Sequence, residues 1–584
     1  MKKLSIFFCM AIFPVMAIAQ APTRSQIGTA ARIYMKIMNG EEPWTINHVY
    51  RNAIENTSTI SGSMMNVLQC QQGGWVLMSN DLRVQPVLAY SPTGEWNPDT
   101  SLMPPALVEL LCDYIEQITE IKTSPQAKSE ESEFYQENKE KWTGLQSETS
   151  SYVYHLTQSK ASYVAPLLVD EKGYEIEWGQ LAYAYGESSP KYNKFAPSGC
   201  ESNLLYPDNK TGHKPIGCSS VAMGQLMRYW KFPPQYDWEK MPAKLKSFST
   251  VQEENNIAHL LKDCADNASV NFLCEGAWTT TNKIVTGMQE MHFSESNKKT
   301  KGDNDNGDWW PDLIKKQLNN GWPVIYRGDK CDLCLSEKHF WIMDGYNKEG
   351  HFHCNWGWSG QHNGYYDLST LKKDGNGHQE NLRKNNMVVR DIYPDWNITD
   401  DWTGNNITKG NDEELRAFCK NASMKNITLK GNSQSKIAFT GSLVINGPFE
   451  VSGDATLTLA CYDKELAAQL QKGTRKSTRK NDDEDEEEEN NFAFVREEKM
   501  FAASDLFILS PNPAKDEVQI SMATYVSGDE RKEVEVFDNQ GRLRYTTQFA
   551  GGYIVLPIES LRQGMYFVRV TCKENRVTQK LVVR

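Results

Sequence analysis

The chain has 584 residues, more than one ordinary hydrophobic core accommodates, so on the order of three or four domains are expected. Hydrophobic residues make up 39% and charged residues 24%, which is typical of a folded globular protein and excludes a fibrous or wholly disordered one. The formal net charge of −12 argues against a nucleic-acid partner.

The N-terminus has the pattern of an export signal. Met1-Lys2-Lys3 is basic, residues 4–18 are almost wholly apolar, and Ala17-Ile18-Ala19 has the small residues of a signal peptidase site. The apolar stretch is short for a transmembrane anchor, and no later segment reaches about 18 apolar residues. We therefore predict a cleaved signal peptide at 1–19 and no membrane span.

Residues 20–163 combine strand and helix patterns. The runs 75–78 and 86–90 are apolar strand candidates separated by a polar turn, and 106–122 has helical periodicity. Residues 123–150 are rich in Lys, Glu, Ser and Gln, which predicts a charged helix or an exposed linker without a core. A domain boundary or a cleavage site is expected there.

A cysteine at the start of an apolar helix is the first candidate for chemistry. After Gly217-Cys218, apolar residues recur at helical spacing until Pro233 and Pro234 end the pattern. At the first turn, the helix dipole and free N–H groups favour the thiolate, and the Cys218 amide can serve an oxyanion. Taken alone, Cys218 is more often a buried structural cysteine.

Two strands further along the chain supply a base and an orienting group. Residues 338–346 predict a strand with His339 near its start, and 351–358 predict its hairpin partner, with Asn355 brought near His339. An amide accepting from the imidazole would fix its tautomer, with Trp356 or Trp358 covering that bond. Cys, His and Asn in this order form the papain arrangement.

The remaining cysteines do not predict a metal site. Twelve stay in the chain after Cys9 leaves with the signal peptide, too few for a disulfide scaffold of this length. Cys331 and Cys334 form a C-x-x-C, but no second ligand pair lies at suitable spacing. A local disulfide or two thiols remain open, and neither a metal nor a cofactor is predicted.

The C-terminal part has three sections. Short alternating strands with Gly and Asn turns predict a small β-sandwich at 397–470. Basic residues at 472–480 and eight consecutive acids at 482–489 predict a charged disordered linker at 471–504. Alternating strands return at 505–584 and predict a second small β-sandwich.

The central motifs resemble the streptopain family of papain-like cysteine peptidases, which are made as zymogens. The resemblance covers about 164–395 and rests on five segments in the family's order: 217–225, 323–326, 339–346, 355–360 and 364–368. It implies a papain-like peptidase domain at 164–396, preceded by an α+β inhibitory propeptide at 20–163. With the two small β-sandwiches predicted after it, the fold class of the chain is α+β.

The same resemblance implies further roles and some departures. Gln180 corresponds to the side-chain donor of the oxyanion hole, and Pro166-Leu167-Leu168 to the start of the mature enzyme. Lys338 stands where the family has Gly, and the loop 328–338 carries an insertion, so we expect altered specificity. Residues 274–278 depart from the family pattern, which predicts an atypical S2 region.

The last residues resemble the C-terminal sorting domain of the type IX secretion system. Ser510-Pro511-Asn512-Pro513, the strand 564–570 and the final residues 580–584 carry that resemblance. It implies passage across the outer membrane with the help of the secretion machinery, followed by release or attachment at the cell surface.

Together these features predict a secreted cysteine endopeptidase. Cys218 would form a thioester with protein or peptide substrates, His339 would act as general base, and the propeptide would inhibit the enzyme until it is cut. One alternative is an adhesin-like binding protein with an inactive peptidase domain. Another is a thiol-based peptide ligase or amidase, because the acyl-enzyme chemistry is shared.

Overall fold

The computed structural model divides into one unit up to Asn490 and a second from Asn491. It describes residues 21–40, 44–123, 133–158, 162–182, 191–200, 210–294, 297–300, 310–328, 339–373, 379–381, 387–462 and 507–583. Short gaps within these ranges fall at 54, 57–61, 101, 412, 511–513, 516, 523–530, 539–541, 551–552, 559 and 573–574. The predicted signal peptide and charged linker lie outside the described residues.

The N-terminal part of the first unit is an α+β structure. Its first helix begins after a capping box, in which Thr23 and Gln26 each bond the other's backbone N–H. The elements are α1 (Arg24–Asn39), β1 (Ile46–Arg51), β2 (Glu55–Asn56), β3 (Met65–Cys70), β4 (Trp75–Ser79), β5 (Val87–Ser91), α2 (Pro105–Thr123), α3 (Glu133–Gly144) and α4 (Ser151–Gln158).

The central part contains the predicted peptidase domain. Its elements are α5 (Cys218–Trp230), α6 (Val251–Asn267), β6 (Asn271–Phe272), β7 (Ala277–Trp278), α7 (Thr281–Glu290), β8 (Asn297–Thr300), α8 (Trp310–Asn319), β9 (Val324–Gly328), β10 (His339–Tyr346), β11 (Phe352–Asn355), β12 (Gly364–Tyr366), β13 (Ser369–Lys373), β14 (Gln379–Asn381) and β15 (Met387–Arg390). The helix predicted after Gly217 and the hairpin predicted around 347–350 are both confirmed.

One sheet joins the two parts. Its strand order is β2-β1-β3-β4-β5-β12-β11-β10-β9-β15-β8. At the join, β5 pairs antiparallel with β12 through Ala89 opposite Tyr366 and Tyr90 opposite Tyr365. The rings of Tyr90 and Tyr365 stack with their centroids 5.0 Å apart. The predicted propeptide therefore shares backbone hydrogen bonds with the predicted peptidase domain.

Strand β10 lies in the interior of this sheet, between β11 and β9, and is buried on both faces. Trp341 and Met343 belong to a core that includes apolar residues of α2. Phe340 and Ile342 belong to a second core that holds α5 and α6. Burying each such side chain contributes about 1.5–3 kcal/mol, so the position of β10 against α5 is strongly fixed.

The stretch predicted as a charged helix or linker is more ordered than expected. Part of it forms α3, and Trp142 and Leu145 are buried in a third core with α1. The indole N–H of Trp142 donates to the carbonyl of Val84 at 3.0 Å. The two apolar residues are too widely spaced in a charged sequence to signal this packing.

The region predicted as a small β-sandwich at 397–470 does form two sheets, but their strands run parallel. The strands are β16 (Trp402–Lys409), β17 (Arg416–Cys419), β18 (Ala422–Leu429), β19 (Gln434–Phe439), β20 (Leu443–Val451) and β21 (Thr456–Cys461). The sheets are β16-β18-β20 and β17-β19-β21. The chain thus winds as a short β-solenoid, with Trp402 paired to Ala422 and Ala422 to Leu443 in successive coils.

The second unit has the two antiparallel sheets that its alternating sequence predicts. Its strands are β22 (Phe507–Ser510), β23 (Glu517–Met522), β24 (Lys532–Asp538), β25 (Leu543–Phe549), β26 (Tyr553–Pro557), β27 (Gly564–Cys572) and β28 (Asn575–Val583). They form the sheets β22-β23-β26 and β25-β24-β27-β28. Within the described parts of the chain, no helix is both long and apolar enough to span a bilayer.

Candidate active site

Cys218 is the first residue of α5, as the sequence predicts. The preceding Gly217 has φ of 93°, and a Cβ there would lie 2.9 Å from the Cβ of Ala277. Glycine therefore lets β7 approach the start of the helix. The Cys218 residue is 7% exposed, so its thiol lies in a largely enclosed site at the positive end of the helix dipole.

The first residues of β10 lie directly against this thiol. The backbone N–H of Phe340 donates to Cys218 Sγ at 3.4 Å. His339 precedes Phe340 and is itself buried. The two residues proposed from sequence to form a catalytic pair are thus brought to one site by the packing of β10 on α5.

The His339 ring is held by a main-chain group. Its Nε2 lies 2.9 Å from the carbonyl oxygen of Trp356. A carbonyl only accepts, so Nε2 carries the hydrogen and Nδ1 is the basic nitrogen. Burial lowers the pKa of His339 to about 4, although the bond to Trp356 opposes this shift. The imidazole is therefore neutral at pH 7.

Asn355 does not make the contact that the sequence predicts. Its Oδ1 accepts from Gln225 Nε2 at 3.1 Å and from the N–H of Gly357 at 3.2 Å. Its Nδ2 donates to the carbonyl of Ile176 at 2.7 Å. The hairpin register pairs Asn355 with Ile342, not with His339, and the carbonyl of the next residue takes the orienting position.

Of the two tryptophans predicted to cover His339, Trp358 has its ring against the imidazole and the Trp356 ring packs elsewhere. Trp358 lies edge-on to His339, with ring centroids 5.6 Å apart. The Trp356 ring packs on Trp341 at 5.1 Å, and its indole N–H donates to the carbonyl of His362. Trp356 thus orients His339 through its backbone carbonyl. The Trp358 ring packs directly against the imidazole.

Gln180 lies close to the nucleophile. It is 6% exposed, and its backbone carbonyl accepts from the backbone N–H of Ile216, two residues before Cys218. The adjoining Gly179 packs against Ser359, whose N–H donates to the carbonyl of Trp178. The segment that carries Gln180 is therefore held between the approach to α5 and the loop after Trp358.

The sequence analysis missed a buried acid–base cluster near the predicted start of the mature enzyme. His353 Nδ1 lies 2.6 Å from Asp344 Oδ1, and its Nε2 lies 3.6 Å from a carboxylate oxygen of Glu175. Burial opposes a charge on His353, but the two carboxylates raise its pKa to about 9. Asp344 Oδ2 accepts from the N–H of Leu168. A charged residue within each of two apolar strands was the available signal.

A disulfide links Cys200 to Cys274. The sequence left the pairing of cysteines open. This bond ties the β6–β7 hairpin, which contacts Gly217, to the segment around residue 200. Cys331, Cys334 and Lys338 lie outside the described residues. Within the described ranges, no group of three or more His, Cys, Asp or Glu side chains is arranged to hold a metal ion.

The predicted propeptide contacts the loop that follows the site. His362 Nε2 donates to the carbonyl of Asn97 at 2.9 Å, and the Trp96 ring lies edge-on to His362 at 4.8 Å. The His362 carbonyl in turn accepts from the indole N–H of Trp356, the residue whose backbone carbonyl holds His339. The propeptide therefore contacts a direct neighbour of the residue that orients His339.

A second contact lies at the turn between β10 and β11. Tyr34 of α1 donates to one carboxylate oxygen of Glu349 at 2.5 Å, and Tyr152 of α4 donates to the other at 2.9 Å. Asn347 of the same turn donates to the Tyr34 hydroxyl at 3.3 Å. Two helices of the N-terminal part therefore hold one turn of the central part.

Three comparisons with known families bear on the chain. Residues 234–366 match the Peptidase C10 family, a span that begins after Cys218 and includes His339, Asn355 and Trp356. The chain contains a peptidase C10 domain of the streptopain family. The resemblance predicted from the motifs is thereby confirmed.

The other two matches concern the ends of the chain. Residues 23–118 match the Spi protease inhibitor family, in agreement with the predicted inhibitory propeptide. Residues 509–584 match the Secretion system C-terminal sorting domain. The predicted export across the outer membrane, to the cell surface or beyond, is confirmed by this match.

Individual relatives are distant. Streptopain from Streptococcus pyogenes serotype M1 is 22% identical over 350 residues, which cover 54% of this chain and 77% of streptopain. The thiol protease/hemagglutinin PrtT of Porphyromonas gingivalis is 27% identical over 196 residues, or 29% of this chain. That match spans only 22% of PrtT.

Solved structures give a similar picture. A fragment of prointerpain A from Prevotella intermedia has 21% identity and a TM-score of 0.40, with 56% of this chain and 96% of the fragment covered. Active interpain A from the same organism has 24% identity and a TM-score of 0.32. It covers 40% of this chain and 97% of its own length.

Proposed function

We propose that the chain is a secreted cysteine endopeptidase made as a zymogen, with Cys218 as nucleophile and His339 as general base. The observation that carries the proposal is the contact of the β10 backbone with Cys218 Sγ, beside a histidine whose Nε2 is fixed by the Trp356 carbonyl. The peptidase C10 match includes His339, and the inhibitor match lies in the N-terminal part of the same unit.

The mechanism follows from the tautomer of the histidine. Nδ1 of His339 takes the thiol proton, and Cys218 Sγ attacks the peptide carbonyl carbon. The oxyanion accepts hydrogen bonds from the Cys218 N–H and, we infer, from the side chain of Gln180. The imidazolium then gives its proton to the leaving amine, and water hydrolyses the thioester, returning the thiol. The Trp356 carbonyl holds the ring throughout.

The described chain corresponds to a latent state. Burial lowers the pKa of His339 to about 4, so the imidazole is neutral in this state. The N-terminal part shares the sheet through β5 and β12 and holds Glu349 with two tyrosines. A cut in the charged stretch 123–150 or just before Pro166 would allow these contacts to be released.

The central experiment compares the full chain with its Cys218→Ala variant on denatured protein as substrate. We expect self-processing and turnover in the wild type and a loss of at least about 10³-fold in the variant, because the nucleophile is gone. Cys461→Ala removes a thiol of the solenoid and serves as the matched control, with activity unchanged.

Labelling with a thiol-directed peptidase inhibitor separates this proposal from the adhesin-like alternative. The processed wild type should be labelled at Cys218, and Cys461→Ala should be labelled equally. Equal hydrolysis by wild type and Cys218→Ala would refute thiol catalysis. Amine acceptors added to the assay would divert the thioester if the chain were a ligase, giving joined peptides in place of hydrolysis.

A further inference from the structure

Two buried amide side chains, Gln225 and Asn355, have no part in the mechanism above. Gln225 is 0% exposed on the apolar face of α5, and Asn355 is 1% exposed at the end of β11. Burying an unbonded amide costs about 1–3 kcal/mol in proteins, so such residues are retained where hydrogen bonds satisfy them.

The two amides bond each other and one backbone segment. Gln225 Nε2 donates to Asn355 Oδ1 at 3.1 Å, and Gln225 Oε1 accepts from the N–H of Trp178 at 2.9 Å. Asn355 Nδ2 donates to the carbonyl of Ile176 at 2.7 Å. The pair therefore forms hydrogen bonds with the backbone on both sides of Glu177, at Ile176 and Trp178.

Each end of this network borders a group of the proposed mechanism. Gln225 follows Cys218 by about two helical turns and lies on the same side of α5. Asn355 precedes Trp356, whose carbonyl holds His339. Trp178 lies two residues before Gln180. The helix that carries Cys218, the strand that precedes Trp356 and residues 176–180, which we call the oxyanion segment, thus meet at one pair of amides.

We propose that Gln225 and Asn355 are positioning residues that set the oxyanion segment, and with it Gln180, relative to Cys218 and His339. This inference rests on the proposed function. The amide groups suit the task because each offers one donor and one acceptor in this chain of bonds. A carboxylate at position 225 would still accept from Trp178 but could not donate to Asn355.

Activity provides the first test, measured on the enzyme that forms when the full chain processes itself. Gln225→Met should lower kcat by about 10²-fold, the cost of a small misplacement of catalytic groups, with KM changed far less. In the Gln180→Ala background the same change should cost little, because both act through one donor. Gln317→Met is the matched control, since Gln317 is also buried and its side chain makes two hydrogen bonds to Asp391.

The pH profile of Gln225→Glu gives a readout that a purely structural role would not move. Burial raises the pKa of a carboxyl, and the protonated acid can again donate to Asn355. We expect kcat relative to wild type to be lowest near pH 8 and to recover toward pH 5.5. A flat ratio, or Gln225→Met losses that add fully to those of Gln180→Ala, would overturn the inference.

Amide hydrogen exchange tests the inference without catalysis. In the Cys218→Ala full chain, Gln225→Met should speed exchange of the Trp178 and Ile216 amides, and Gln317→Met should not. Unchanged exchange at both amides would overturn the positioning role even if the chain hydrolyses substrate. Faster exchange in a chain that hydrolyses nothing would leave the positioning role standing and refute the proposed function.

Discussion

We expect His362 to make the latent state sensitive to pH. The residue is 2% exposed, and its ring contacts the Trp96 ring and the carbonyl of Asn97, both from the propeptide. Burial lowers its pKa to about 4, and the hydrogen bond to Asn97 opposes that shift only in part. When the propeptide leaves, both contacts are lost and the ring regains access to water.

The size of the effect follows from the two pKa values. A histidine with a depressed pKa stabilises the closed state fully above its ordinary pKa of about 6.5, and that contribution is lost as the pH falls through about 4. With values of about 4 closed and 6.5 open, the closed state should weaken about 20-fold between pH 7 and pH 5, or about 2 kcal/mol.

The assay uses the full chain with Cys218→Ala, which cannot process itself. Hydrogen exchange at β5 and Trp96, corrected for the intrinsic rate, reports opening at each pH. Replacing His362 by Asn should reduce the ratio of opening between pH 5 and pH 7 by about 20-fold. The exposed His155 provides the control, and His155→Asn should leave that ratio unchanged.

Two results would refute the reasoning about His362. One is an NMR titration of the full chain in which its imidazole has a pKa near 6.5. The other is a His362→Asn variant that retains the whole pH dependence of opening. Either result would mean that propeptide release does not change the environment of this ring.

Two further predictions concern the half-buried Glu349 and the buried His353. Glu349→Gln weakens the acceptor for two propeptide tyrosines, so self-processing should be about 10- to 100-fold faster, and Glu148→Gln at a surface ion pair should not change it. His353 has a raised pKa, so its contribution of about 3 kcal/mol is complete below about pH 6.5 and lost as the pH rises through 9. Thermal unfolding of wild type and His353→Asn across that range should show this difference, and an NMR pKa for His353 at or below 6.5 would contradict it.

Asn355 illustrates where sequence reasoning stopped. The hairpin and the position of His339 were predicted correctly, but the strand predicted over 351–358 ends at Asn355, so Trp356 and Trp358 lie beyond it. The orienting group was assigned to Asn355 because a side-chain amide is visible in a sequence. The group that fills the position is a main-chain carbonyl, and every residue has one, so only the register of β10 and β11 identifies it.

The β-solenoid differs from its prediction for a related reason. Alternating apolar residues identify strands that are half-buried, and this part of the prediction was correct. Alternation does not say which strand lies beside which. Here, Asn406 and Asn426 both have positive φ, and Asn426 Nδ2 donates to Asn406 Oδ1 at 2.6 Å. A repeat of polar turn residues about one coil apart was the available signal.

The sequence by itself determined the features that depend on neighbours along the chain. The helix at Cys218 and the strand at His339 follow from local periodicity. The sorting tail follows from the resemblance of its local motifs to a known domain, which the family match confirms. The tertiary structure decided which groups meet: the Trp356 carbonyl with His339, the Gln225 and Asn355 amides with the Gln180 segment, and Glu349 with the propeptide. Such contacts depend on strand register and on packing between distant segments, and these are set by the whole core.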